Sequence, residues 1–378
     1  MPSIVSRVAH AAWARIEDRP VSDPTPQNSA LPADRPWRIL LLSDGRPGHY
    51  RQSEAVTMAL ARRHALAVDR QEIRLRRGKL ARPLGWLFAS GLLSARGLLS
   101  LAYGLDAGHL PRPDLVVSTG GTTRLANVAL ARHYRVPNVY AGTLRGLPPR
   151  LFSAILLPYR EAEGRTNHVI TLKPSPVDPD DMPPARPWTG AAETEGRRIA
   201  VLVGGPSGAH RFADADWEGL LGLLGHTGWP SGVRLLVTNS PRTPEPVSDR
   251  LAEAAREHPA LIEEFVDFRT AGPGSILGLL SRADAVLCTE DSSSMIVEAI
   301  CARRPVVALV PEGRSLRADE ARMLDDLAAD RLMAPVPLKA ANPGGLVAAL
   351  ADLRPLAANP LDTLADAILG QIDRTARR

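Results

Sequence analysis

Cysteine occurs only twice in this chain, as Cys288 and Cys301, which excludes a disulfide framework, and neither has a CxxC or histidine partner at metal spacing. Both read as small buried hydrophobes in a reducing compartment. Lysine is nearly absent, confined to Lys79, Lys173 and Lys339, so arginine carries the formal charge of +5. That bias, with abundant Ala and Pro, reads as GC-rich codon usage rather than a nucleic-acid footprint. Aromatic residues are 4% of the sequence and no Arg-and-aromatic stacking pattern occurs, so nucleic acid is not an expected partner. No run of about 18 uncharged apolar residues exists, and no bilayer-spanning helix is expected.

What is present is a repeated grammar of apolar strand, polar turn and helix. Ala285 to Cys288 is a short apolar run ending in Thr289, Glu290 and Asp291; Ser292, Ser293 and Ser294 then open a helix, and Arg304-Pro-Val-Val-Ala-Leu-Val310 reads as the next strand. The first N–H groups of such a helix lack partners and suit an anion such as a diphosphate. Glu298, about two turns further on, is within reach of a ribose attached to it. The other reading makes Asp291 or Ser292 an N-cap and Glu298 a solvated helix residue.

The same grammar recurs three times. Trp37 to Asp44 runs into Gly45-Arg-Pro-Gly-His-Tyr-Arg-Gln52, Asp114 to Ser118 into Thr119, Gly120 and Gly121, and Arg198 to Val203 into Gly204-Gly-Pro-Ser207. Each apolar run is continuous rather than alternating, as in parallel strands buried on both faces. Ligands of such sheets bind beyond the carboxyl ends of the strands, where these Gly, Ser, Thr and His residues cluster.

At 378 residues the chain suits two α/β domains better than one core. The stretch 174–196, rich in Pro and Asp and without apolar period, marks a linker. The expected organisation is a flexible segment over 1–35, a Rossmann-like domain over 36–173, the linker, a second Rossmann-like domain over 197–340, and helices over 341–378. The last helix, with Leu361, Leu364, Ile368 and Ile372, can pack on either domain. Ile4, Val5, Val8, Trp13 and Ile16 give the N-terminus a second reading, a transit-like or surface-binding helix.

Asp44-Gly-Arg-Pro-Gly-His-Tyr-Arg-Gln52, Gly204-Gly-Pro-Ser207, Val237-Thr-Asn-Ser-Pro-Arg-Thr-Pro244 and Thr289-Glu-Asp-Ser-Ser-Ser-Met295 resemble the signature blocks of the mitochondrial fission ELM family. The likeness covers most of residues 38–310. It departs at Tyr50-Arg51, where the family often has Glu-Asn, and at Ser118-Thr-Gly-Gly121, which replaces a more basic turn. The resemblance implies the GT-B fold, two Rossmann-like α/β domains with parallel sheets facing a cleft, and for bacterial members sugar transfer to cell-surface polysaccharide. More distantly, the pattern is similar to the N-acetylglucosaminyl transferases that complete the lipid-linked peptidoglycan precursor. That likeness implies an acceptor domain over 36–173, a nucleotide-sugar domain over 197–340, Glu298 as ribose ligand, and Ser207, Ser292, Ser293 and Ser294 at the diphosphate.

Glycosyl transfer needs charge stabilised on the leaving diphosphate and a base for the acceptor hydroxyl. A helix N-terminus supplies the first without a metal. His49 is the best base candidate because an imidazole exchanges protons near neutrality. Asp44 either orients it or is itself the base; helix capping is the other reading of His49, and His210 is a weaker alternative base. The expected donor side is Gly204, Gly205, Ser207, Thr238, Asn239, Arg242, Thr289, Asp291, Ser292, Ser293, Ser294 and Glu298, with Arg242 suited to paired hydrogen bonds to phosphate. The expected acceptor side is Gly45, Gly48, Gln52, Thr119, Gly120 and Gly121. Asp178-Pro-Asp180 and Asp214-Ala-Asp216 match an Asp-x-Asp metal pattern, but the first lies in the linker and the second opens a helix, where the dipole favours acids. Both read as structural, and no metal or cofactor beyond a nucleoside diphosphate sugar as co-substrate is expected.

Arg70, Arg74, Arg76, Arg77, Lys79 and Arg82 lead into an apolar, Trp-bearing stretch from Pro83 to Leu105. One reading is a segment resting on anionic lipid, the other a buried helix covering the sheet. The expected function is transfer of a sugar from a nucleoside diphosphate donor to a cell-surface glycan or lipid-linked acceptor, in the cytoplasm or peripheral on the inner membrane. The alternative is a non-catalytic membrane-associated scaffold, as the family's plant members suggest. A nucleotide-sugar epimerase is disfavoured because no GxGxxG follows the first strand and no Tyr-x-x-x-Lys pair is present.

Overall fold

The computed structural model describes residues 31–377 except 33, 77, 189–194 and 273. Most of the segment expected over 1–35, and residues 189–194 of the expected linker, therefore lie outside the described residues. The chain divides into two compact units, one of residues up to Pro176 together with Leu361 onward, the other Val177–Pro360.

In the first unit, Trp37–Ser43 (β1), Leu66–Glu72 (β2), Leu115–Thr119 (β3), Asn138–Ala141 (β4), Ala154–Leu157 (β5) and His168–Ile170 (β6) form a sheet in the order β2-β1-β3-β4-β5-β6. Every pairing is parallel. Parallel neighbours need crossover connections, supplied among others by Pro47–Ala61 (α1), Ala81–Ala89 (α2), Ala95–Tyr103 (α3) and Arg124–Tyr134 (α4). Alternate residues of one strand serve opposite faces. Leu40, Leu42 and Val116 join a cluster with Phe88, Leu98 and Leu99, whereas Ile39, Leu115 and Val117 join Val56, Ala59 and Leu60 of α1. Burying both faces stabilises the sheet by about 1.5–3 kcal/mol for each large aliphatic side chain removed from water.

The stretch from Pro83 to Leu105 is two helices rather than one. Ser94 caps α3 by accepting the Gly97 N–H, and Gly104 at φ 63° ends it. Phe88, Leu98, Leu99 and Ala102 face the core, but Leu80, Trp86, Leu92 and Leu101 are exposed, Leu92 at 70%.

In the second unit, Arg198–Leu202 (β7), Arg234–Thr238 (β9), Ile262–Val266 (β10), Ala285–Thr289 (β11), Val306–Val310 (β12) and Met333–Pro337 (β14) form a sheet in the order β10-β9-β7-β11-β12-β14, again all parallel. A two-stranded antiparallel ribbon joins His210–Arg211 (β8) to Gly313–Arg314 (β13). The helices are Asp214–Leu224 (α5), Glu245–Glu257 (α6), Phe268–Ala271 (α7), Ser275–Arg282 (α8), Ser293–Cys301 (α9), Ala318–Ala329 (α10) and Pro343–Ala351 (α11). Val177 and Trp188, within the Pro-rich stretch, are buried in this unit, and Arg186 pairs with Asp284 at 2.6 Å. Pro360–Ala376 (α12) belongs instead to the first unit, where Leu361, Leu364, Ile368 and Ile372 join the α1 face of the sheet.

In both sheets the strand order reverses at one place, between β1 and β3 and between β7 and β11. The crevice beyond the carboxyl ends of strands at such a switch point is where open α/β sheets hold ligands. Both pairs of expected site loops leave the sheets there.

Candidate functional site

In the first unit the polar residues after β1 meet those after β3. Pro47 starts α1 and puts His49 in its first turn. The His49 Nδ1 lies 2.9 Å from Asp44 Oδ2 and 3.1 Å from Oδ1. Thr122 Oγ1 donates to Asp44 Oδ2 at 2.6 Å, and the Arg46 N–H reaches Oδ1 at 3.2 Å. Burial opposes ionisation of Asp44, but the hydrogen bonds from Thr122 and His49, the imidazole charge and the Arg46 amide outweigh it and hold the carboxyl below its usual range. A carboxylate only accepts, so Nδ1 carries the proton and the Nε2 of a neutral ring has the free lone pair. Such an imidazole is oriented to take a proton from a hydroxyl.

Gly120 makes this possible, because at φ 100° it is in the left-handed region and a Cβ there would lie 2.3 Å from His49 Nδ1. Thr119 accepts from Ser53 Oγ at 3.0 Å, locking the turn to α1. Gly45 turns the chain out of β1 at φ 76°, Gly48 and Gly121 stand beside open space, and Gln52 bonds back to the Gly48 carbonyl at 3.2 Å.

In the second unit three loops converge after β7, β9 and β11. The Gly204 N–H donates to Thr289 Oγ1 at 2.7 Å and the Gly205 N–H to Asp291 Oδ2 at 3.0 Å. Arg242 Nη2 reaches the same oxygen at 2.5 Å. A Cβ at Gly204 would lie 2.2 Å from Asp291 Oδ2, and one at Gly205 would lie 2.1 Å from the Arg242 carbonyl oxygen, so the glycine pair lets the three loops close on one another. Ser292 precedes α9, its own side chain making no cap bond; Ser293 is half-buried and Ser294 exposed. Glu298, four residues after Ser294, shares its helix face and is half-buried. Burial first, then the charges of Asp291 and Glu298, push the Cys288 thiol well up, so it is an inert thiol beside this turn.

Other expected residues are engaged in holding loops. Thr238 Oγ1 bonds the Val266 carbonyl at 2.8 Å; Asn239 bonds Ser248 and Asp267, each at 3.0 Å, and accepts the Phe268 N–H at 2.6 Å. Ser207 Oγ accepts the Ala209 and His210 N–H groups. His210 is buried, with Nδ1 3.3 Å from Ser207 Oγ and Nε2 3.1 Å from Glu290 Oε2, so it has no free face to act as a base. Asp216 accepts the Ala213 and Glu312 N–H groups, and Asp178 and Asp180 both accept from Asn359. Among the described residues no group of three or more His, Cys, Asp or Glu side chains is placed to hold a metal ion. Sequence reading passes over Thr122 as an Asp44 partner, and Glu290 with Arg314, which lie 2.8 Å apart.

A curated relative, the UDP-N-acetylglucosamine–N-acetylmuramyl-(pentapeptide) pyrophosphoryl-undecaprenol N-acetylglucosamine transferase of Symbiobacterium thermophilum, is 33% identical over 147 residues. The match spans 35% of this chain and 37% of that protein's length. The solved structure of Acinetobacter baumannii MurG aligns with a TM-score of 0.51 at 15% identity, covering 91% of this chain and 100% of that one. That likeness is one of fold, two Rossmann-like units of the GT-B type. No helix of the described residues is long and apolar enough to cross a membrane. A match to the Mitochondrial fission ELM1 family over residues 47–368 takes in the signature loops after β7, β9 and β11 and the turn after β1 from Pro47 onward, and the chain belongs to that family.

Proposed function

We propose that the protein is a glycosyltransferase that moves a sugar from a nucleoside diphosphate donor, held by the second unit, to a cell-surface glycan or lipid-linked acceptor presented by the first. The observation that carries this reading is the oriented His49–Asp44 pair at the switch point of the first sheet, with Nε2 free to receive a proton. The Gly204-Gly205 turn and the α9 N-terminus at the second switch point suit a diphosphate leaving group, and Glu298 suits a ribose hydroxyl. The activity in the Symbiobacterium protein's name, transfer of N-acetylglucosamine to a pyrophosphoryl-undecaprenol acceptor, is of this class.

A membrane-borne acceptor is supported by the surface of α2 and α3. From Ile73 to Leu105 there is no acidic residue, and Arg74, Arg76, Lys79, Arg82 and Arg96 are exposed beside Leu80, Trp86, Leu92 and Leu101. Apolar tips ringed by cations suit the interface of an anionic bilayer. A membrane scaffold without catalysis would use the same surface, but it has no need of an oriented imidazole.

The test is a thermal-shift screen against nucleoside diphosphates and their sugars, because a ligand that binds only the folded state raises the melting temperature. A rise that Glu298→Ala abolishes supports the donor assignment. A rise that Glu298→Ala leaves unchanged removes Glu298 from it, and no rise with any ligand contradicts the reading.

A further inference from the structure

Glu290 and Asp291 are adjacent carboxylates with no exposed side-chain surface, at the turn where the proposed reading puts a diphosphate. Buried charges persist only when paired. Asp291 Oδ2 accepts both the Gly205 N–H and Arg242, while its Oδ1 is buried without a partner. Glu290 repeats the pattern, with Oε2 taking His210 at 3.1 Å and Arg314 at 2.8 Å and Oε1 unpartnered. The cations and the glycine amide around this turn are thus directed at carboxylates of the chain itself.

Gly205 N–H and the Arg242 guanidinium together make an anion seat, and Asp291 sits in it. Of the two charged partners, Arg242 is the one able to move, because its side chain is 44% exposed whereas Asp291 is wholly covered and packed against Gly204. We propose that Asp291 is a resident anion that competes with the donor's diphosphate for Arg242, and so sets which phosphates the site accepts. The inference rests on the donor reading above and adds a selectivity to it. A nucleoside diphosphate ends in a phosphate monoester that is close to doubly ionised at neutral pH; its sugar ester has one ionisable oxygen fewer on that phosphate. The fixed carboxylate therefore repels the released nucleoside diphosphate more than the incoming donor. It also repels orthophosphate and pyrophosphate, which carry no ribose for Glu298 to hold. This is selection by a built-in unfavourable charge.

The test is titration calorimetry of the full chain and of Asp291→Asn with uridine, guanosine, adenosine, cytidine and thymidine diphosphates, their glucose esters and inorganic pyrophosphate. Asp291→Asn is expected to bind its preferred nucleoside diphosphate about tenfold tighter or more, the sugar ester by a smaller factor, and pyrophosphate more tightly than the native chain does. Equal or weaker diphosphate binding by the folded variant, with native binding intact, overturns the resident-anion role and leaves the donor reading standing. No binding of any nucleotide by either protein overturns both. Arg242→Ala gives a second measurement should Asp291→Asn fail to fold. A loss of about tenfold or more in diphosphate affinity is expected there, and unchanged affinity overturns the competition for Arg242.

Discussion

Arg62 and Asp362 stand 300 positions apart and are joined by two parallel hydrogen bonds, Nε to Oδ1 and Nη2 to Oδ2, each 2.9 Å long. Arg63 adds a bond to Asp362 at 2.5 Å and one to Asp366 at 2.8 Å. After completing the second unit the chain thus returns α12 to the end of α1.

This clamp has a pH signature. Hydrogen bonds from Arg62, then Arg63, hold the Asp362 carboxyl at about 2. A depressed carboxyl contributes stability that is present above its unfolded value, about 4, and is lost as pH falls through about 2. Asp362→Asn should therefore melt below the native chain at pH 7, with the gap closing between about pH 4 and pH 2 and shrinking in high salt, since the pair is partly exposed. Melts at about pH 7, 4 and 2.5 check this; a gap of constant size would show that the charge is not the cause.

Asp44→Asn keeps the shape of the His49 partner but lets the ring adopt the other tautomer. Turnover should fall by about 100-fold or more while donor affinity holds. Thr122→Val removes one of the bonds that keep Asp44 ionised, so the Asp44 carboxyl should titrate at a higher pH than in the native chain, as read by NMR of the carboxyl carbon. An unshifted carboxyl would separate Thr122 from the control of Asp44.

The glycines of the two units differ in what they permit. Gly205→Ala forces a Cβ to 2.1 Å from a backbone oxygen that has little room to yield, and should cost about 1–3 kcal/mol in denaturant unfolding. Gly48 lies within α1 with nothing within 4 Å of the added atom. Gly48→Ala should be neutral or stabilising by up to about 1 kcal/mol. Equal costs at the two positions would contradict this packing.

Much of this is legible in the residues. Continuous runs such as Ile39, Leu40, Leu41 and Leu42 mark buried parallel strands, and the Gly, Ser and Thr content of the turns that follow them marks site loops. What sequence does not supply is which turn faces which. Thr122 meets Asp44 because Leu42 pairs with Ser118 in the β1–β3 register, a choice made by packing between strands far apart along the chain. Polar residues after β9 look alike as ligands, yet Thr238 and Asn239 are held by β10 and α7 while Arg242 reaches the turn after β11. The apolar stripe of α12 is visible in the sequence, but its packing on the α1 face of the first sheet, beside the Arg62 and Arg63 pairs, joins positions too far apart along the chain to be read there.

Sedimentation with vesicles examines the α2–α3 surface. The chain should bind phosphatidylglycerol vesicles more than phosphatidylcholine ones, less so at high salt. Leu92→Ser should reduce binding without lowering the melting temperature, its side chain being 70% exposed. Equal binding to both lipids, or none, would remove the membrane from the proposed function.

The most direct measurement follows release of nucleoside diphosphate from the best-binding sugar donor, alongside donor affinity, in the native chain, His49→Asn and Glu298→Ala. His49→Asn should keep the native affinity and lose release, whereas Glu298→Ala should lose affinity. Native-level release by His49→Asn would contradict a transferase with its base in the first unit, and donor binding untouched by Glu298→Ala would remove Glu298 from the donor site.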